Sequence, residues 1–484
     1  MTSELPYLST AELMTALDSR QLSAVEALDA FVERVDRRNP EVNVVVATDV
    51  ERARVAARVV DDDRAAGRPV GPLAGLPMTV KDSLMTEGLV TTSGAPELAD
   101  FVPDVDAAPV ARLKAAGAVI WAKTNLPIYA GDVQSYNDVY GTSNNPWDQT
   151  RSVGGSSGGS AGALAAGFTP LEVGSDIGGS IRNPAAMCGV VGHKPSYGIV
   201  SARGQIPGPP GTLTQADIAV VGPMARTVDD CRMALELLAG PDEWHETAWS
   251  LRLPPPRVEG PVGLRVAVWA DDGYCPVDPE ISAAIERVAG RLEGAGATVD
   301  TGVRPSGFDF AKADRTFQQL LGGALAGAWS LPEIEANAAL LAAGDLPEGD
   351  LGVAAAVQRH RSWLTDNERR LQMRARWREF FSSWDVVLAP VSPTVAIPHD
   401  HGTPMTARII EVAGETRPYW AQIQWMGLFG VVYLPVTVVP IGRHSSGLPI
   451  GMQVVGPFLE DTTALAAASV VEELIGGTAT PPGW

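Results

Sequence analysis

The sequence predicts an α/β protein, built on a large mixed, mostly parallel β-sheet covered by α-helices. Three observations predict it. Helical and extended patterns alternate, first at 106–122, where a helix leads into a strand at 118–121, and again at 264–300, where a strand at 264–269, a helix from Asp278 and a strand near Val299 follow one another. A helix over 159–168 would be about 15 Å long, and the extended stretch over 170–174 covers about 16 Å, so the chain returns to its starting point. The 484 residues are 45% hydrophobic with no run of 18 apolar residues, which gives a sizeable core and no membrane span.

The elements follow in chain order. Ser9-Thr10-Ala11-Glu12 and Ser23-Ala24-Val25-Glu26 are capping boxes. The second opens a helix with Val25, Leu28, Phe31, Val32 and Val35 on one face, expected to end before Asn39-Pro40. Residues 1–65 therefore read as an N-terminal helical arm packed on the core, and 66–240 as the core that holds a glycine- and serine-rich block. Residues 241–262 form a Pro-rich connection, and 263–484 are the second half of the same domain. Its segment 310–380 is helical, rich in Ala, Leu and Arg, and is expected to cap a pocket.

Composition narrows the function classes. A net charge of −20 and a pI near 4.7 argue against nucleic acid or an anionic membrane as partner. Cys188, Cys231 and Cys275 are odd in number and far apart, which gives neither a disulfide framework nor a Cys-x-x-Cys metal site. With no apolar leader, the expected home is a reducing cytoplasm, the expected partner a small-molecule substrate, and the expected assembly a monomer or homodimer.

The chemistry concentrates in residues 154–182. Gly154-Gly155-Ser156-Ser157-Gly158-Gly159-Ser160 runs straight into the small apolar stretch 161–168, so it is no solvated linker. No Gly-Lys-Ser/Thr follows, so it is no phosphate loop, and no cofactor is implied. Gly-x-Ser-x-Gly occurs twice, on Ser156 and on Ser157, which keeps an α/β-hydrolase-type esterase as an alternative, although residues 141–148 approach as turn formers and not as a strand. Ser180 follows Gly178-Gly179 and opens a new helix, so the backbone N–H groups of Ile177, Gly178, Gly179 and Ser180 are positioned as an oxyanion hole. A serine hydroxyl needs a base, and only His193 among six histidines lies near the block. Lysine is the alternative, because burial lowers its pKa by as much as 3–5 units. The chain has only five lysines, and Lys81 ends the apolar strand Met78-Thr79-Val80, 75 positions before Ser156.

These residues carry a resemblance to the amidase signature family of serine hydrolases. It covers Gly75-Leu76-Pro77 through Lys81-Asp82, Lys123-Thr124-Asn125, residues 141–195 and Gly447-Leu448-Pro449-Ile450-Gly451 with Gln453, and is looser in between. The resemblance implies a Ser–cisSer–Lys catalytic set, with Ser180 as nucleophile, Ser156 as the bridging serine after a cis peptide bond and Lys81 as base. Ser157, Ser175, Asp176 and Arg182 are expected to brace the site. Ala130, Gly131, Trp420, Trp425 and Tyr433 are the expected substrate contacts, within a cluster that also holds Tyr419 and Phe429. Where the family usually carries Gly-x-Pro-Ala, this chain has Tyr433-Leu434-Pro435-Val436. The expected reaction is cleavage of the C–N bond of neutral aromatic or hydrophobic amides, extending to esters and carbamates (urethanes). A transamidating enzyme like the glutamine-dependent subunit of the glutamyl-tRNA amidotransferase is the alternative, and a non-catalytic scaffold is disfavoured by intact Lys81, Ser156 and Ser180. His399-Asp400-His401 lacks a third ligand nearby, so no metal is expected.

Overall fold

In the computed structural model, which describes residues 5–206, 211–344 and 351–484, the strands gather into an eight-stranded mixed sheet and a separate three-stranded one. The large sheet runs Thr298–Asp300, Arg265–Val268, Val386–Pro390, Pro449–Val455, Val436–Arg443, Val191–Lys194, Val220–Ala225, Leu171–Asp176. The expected α/β class and large mixed sheet hold; the expected strand direction does not. Only the two ladders made by Arg265–Val268 are parallel, and the other five are antiparallel. Short returns explain this: five residues join Val436–Arg443 to Pro449–Val455, too few for the crossover that a parallel pair needs.

The strand at 118–121 is present as Val119–Thr124 but lies outside the large sheet. It is the centre of the small one, parallel to Pro77–Lys81 and antiparallel to Val45–Thr48. All five residues of Pro77–Lys81 and all six of Val119–Thr124 are buried, as expected of strands covered on both faces. The two sheets are tied side by side: Thr79 Oγ1 donates to Glu172 Oε1 at 2.5 Å, and the Thr79 amide donates to Thr169 Oγ1 at 3.2 Å. This places the end of the Lys81 strand beside the end of Leu171–Asp176.

The N-terminal arm contains helices Thr10–Asp18, Ala24–Val42 and Val50–Ala65. Both capping boxes are formed. The second helix does not stop before Asn39-Pro40; it continues through Pro40 to Val42. Asn39 makes this possible, since its side chain accepts the amides of Val44 and Val45 and its carbonyl accepts that of Asn43, so the helix end is satisfied despite the proline. The arm is not purely helical, because its Val45–Thr48 segment completes the small sheet. The 241–262 connection contains no helix or strand. Segment 310–380 is helical at Phe310–Leu325, Leu331–Ala343, Leu351–Ala356 and from His360 onward, its residues 345–350 lying outside the described residues.

Candidate active site

Lys81 is fully buried at the C-terminal end of its strand. Its Nζ donates to Ser156 Oγ at 2.7 Å and to Ser175 Oγ at 3.0 Å. Burial pushes the ammonium down to about 7, against the opposing fields of Asp176 and Glu172. Ser156 follows a cis peptide bond after Gly155. A side chain at Gly155 would press on the Asp132 carbonyl oxygen at 2.6 Å, so the loop approaches the 132–134 backbone closely only with glycine there. From Ser157 the chain enters the fully buried helix Gly158–Ala165 and returns along Leu171–Asp176.

The return brings Ser180 back to the loop it left. The Ser157 amide donates to the Ser180 carbonyl at 3.0 Å, and Ser157 Oγ bridges the carbonyl and amide of Ser175 at 3.3 Å. Ser156 and Lys81 are 0% exposed, whereas Ser180 retains 9%, the most of the three. No hydrogen bond joins the Ser156 and Ser180 hydroxyls among the described residues. Such bonds often tighten only with substrate present.

Asp176 organises the turn. Its carboxylate accepts the amides of Gly179 (2.9 Å), Ile181 (3.2 Å) and Arg182 (3.4 Å), and pairs with the Arg182 guanidinium at 2.9 and 3.0 Å. Burial raises its pKa, but the charge and hydrogen bonds of Arg182, together with Lys194 and the Ile181 amide, outweigh it and hold the carboxyl below the usual carboxylate range. Arg182 continues to the Met426 carbonyl at 2.6 Å and Gln453 Oε1 at 3.0 Å. This corrects one expectation: the Gly179 amide is occupied by Asp176, which leaves the amides of Ile177, Gly178 and Ser180 without an acceptor among the described residues.

The apolar residues packed on the 177–180 turn are other than the expected contacts. A side chain begun at Gly178 would meet Ile423, Leu321 and Phe317, each at 3.9 Å, and one at Gly179 would overlap Met426. These apolar residues were missed because on an amphipathic helix they read as core. Trp425 is core, 1% exposed with its indole N–H donated to the Cys275 carbonyl at 3.0 Å. Tyr433 gives its hydroxyl to Asp217 and stacks on Tyr197 at 4.3 Å. Phe429 packs between Trp269 and Trp377, Tyr419 donates to Asp132 at 2.5 Å, and Trp420 is half-buried beside Tyr419. Ala130 and Gly131 close a turn just before the 132–134 segment that touches the Ser156 loop. His401 stacks on Tyr136 at 3.8 Å, and among the described residues no group of three or more His, Cys, Asp or Glu is placed to hold a metal.

A family model for amidases matches residues 26–465, nearly the whole chain. The chain belongs to the amidase signature family. A curated relative, a glutamyl-tRNA(Gln) amidotransferase subunit from Moorella thermoacetica, is 33% identical over 97% of this chain and 97% of its own. Among solved structures, 6-aminohexanoate cyclic dimer hydrolase in complex with substrate superposes with a TM-score of 0.80 at 28% identity, covering 99% of both chains. A bacterial aryl acylamidase of the same family gives 0.79 at 25% identity over 96% of both. As a member of this family of amidase hydrolases, the chain has Lys81, Ser156, Ser175 and Ser180 within one buried neighbourhood. Among the described residues, no helix is long and apolar enough to cross a membrane.

Proposed function

We propose that the chain hydrolyses carboxamides through an acyl-enzyme on Ser180. The observation that carries this reading is the buried 2.7 Å hydrogen bond from Lys81 to Ser156, made by an amine whose pKa is brought down to about 7. Ser180 Oγ attacks the carbonyl carbon while its proton passes to Ser156, whose own proton passes to neutral Lys81. The amides of Ile177, Gly178 and Ser180 receive the oxyanion. As the C–N bond breaks, the proton returns through Ser156 to the leaving nitrogen, and water then releases the acid by the reverse relay. Ser157, fully buried and tied to Ser175, is poorly placed as an esterase nucleophile.

For substrate, Ile423 and Leu321, the less deeply buried of the apolar residues around the 177–180 turn, favour a neutral, aromatic or hydrophobic acyl group. A carbamate presents the same carbonyl, so aryl carbamates and esters form the second substrate class. A second reading, glutamine-dependent transamidation within a glutamyl-tRNA amidotransferase, is favoured by the names of the curated relatives. It needs charged partners for the amino and carboxylate groups of glutamine, and the side chains nearest Gly178 are not charged. Ser180→Ala is expected to abolish turnover and covalent labelling by a fluorophosphonate, with mass spectrometry placing the wild-type adduct on Ser180. An adduct on Ser156 or Ser157 overturns the mechanism. Preference for glutamine over paired anilide and N-aryl carbamate substrates selects the second reading.

A further inference from the structure

Away from the serines, a cavity of about 380 Å³ opens between the first turns of helix Phe310–Leu325 and the middle of helix His360–Ser383. That volume is enough for a small organic ligand. Phe308, Met373 and Trp377 make it apolar on one side, and Lys312, Arg315 and Arg376 bring cations to it. Not all of its positive charge is neutralised. Lys312 is paired with Asp309 at 3.0 Å, and a fourth cation of the lining, Arg369, is paired with Asp366 at 2.5 Å. Arg315 forms no salt bridge but acts on Asp309, which also lines the cavity, and Arg376 has no carboxylate partner among the described residues. On a chain of net charge −20, a concave surface lined by Lys312, Arg315, Arg369 and Arg376 against the carboxylate of Asp309 stands out.

We propose that this cavity binds an aryl carboxylate, separately from the serine site. Guanidinium groups present paired donors that match a carboxylate, and the Trp377 side supplies the apolar contact that an inorganic anion does not use. A neutral ligand would leave the excess of positive charge in this lining unmatched, and a cation would be repelled. The helix that carries Lys312 and Arg315 also carries Phe317 and Leu321 to the 177–180 turn, so one rigid element touches both sites. Two sources share the ligand chemistry: an acid released by the protein's own hydrolysis, and an unrelated aromatic acid.

Calorimetric titration with benzoate tests the assignment, on untreated protein and on protein carrying a fluorophosphonate adduct. Benzoate is expected to bind both forms alike, with a dissociation constant on the order of 1 mM or tighter. Arg315→Ala/Arg376→Ala is expected to weaken binding about tenfold or more, and benzyl alcohol is expected not to bind. Acids recovered from the protein's own amide substrates, titrated alongside benzoate, distinguish the two sources. Absent benzoate binding, affinity unchanged in the double variant, or phosphate binding as tightly as benzoate overturns the proposal. If the double variant does not fold, Arg376→Glu alone serves, since that residue is exposed. Binding lost on labelling but kept in the arginine variants would put benzoate in the serine site and also overturn it.

Discussion

Lys81 has its whole side chain out of water, and the two hydroxyls that receive its N–H groups carry no charge to offset the desolvation of an ammonium. Its neutral form is therefore populated near pH 7. Because the neutral amine accepts the proton, amide hydrolysis is expected to rise as pH increases through about 7 and to level off above it, measured as kcat/KM. Lys81→Ala is expected to cost about 10²–10⁴-fold on an anilide and far less on a nitrophenyl ester, whose leaving group departs unprotonated. Asp176 acts in the same direction, but in the acid range and on stability. Its folded pKa is depressed, so its stabilisation is present above the ordinary value of 3.8 and is lost as pH falls through the folded value. Asp176→Asn leaves Arg182 buried without a counter-charge and is expected to cost about 3–5 kcal/mol at neutral pH. Denaturant melts should show that deficit narrowing in acid. Lys81, Ser156 and Ser180 were legible from spacing and neighbouring glycines. The fate of the Gly179 amide was not, since it depends on where the Asp176 carboxylate points.

Helix starts were easier to read than helix ends. Ser9 and Ser23 announce their helices by a local code of four residues, whereas the passage through Pro40 depends on Asn39 reaching forward to Val44 and Val45. The packing of helix Gln424–Gly430 on helix Phe310–Leu325 was likewise hidden, because the two are about 100 residues apart and neither pattern names its partner. Gly427 fixes their approach: a methyl group there would overlap the Phe317 ring. Gly427→Ala is expected to destabilise by about 1–3 kcal/mol and, by displacing Phe317, to change KM for bulky acyl groups more than for small ones. Thermal melts and a substrate series of increasing acyl size check both effects.

At the scale of the whole chain, the α/β class was legible because helix and strand periodicities alternate, but those periodicities are the same for either strand direction. Loop length carried the missing information at 444–448. The separate small sheet was not legible, because its third strand comes from the N-terminal arm. That arm strand covers one edge of Val119–Thr124, whose other neighbour is the Lys81 strand. Deleting residues 1–48 is expected to expose an apolar edge and produce aggregates on gel filtration, whereas a merely peripheral arm would leave a soluble, labelled enzyme. The residues nearest Gly178 come from two helices that contribute none of the lysine, serine or aspartate groups. On the proposed reading, reaction and selectivity are written in different parts of the gene, so mutational drift at 317, 321 and 423 can explore new acyl groups while the proposed proton relay stays as inherited.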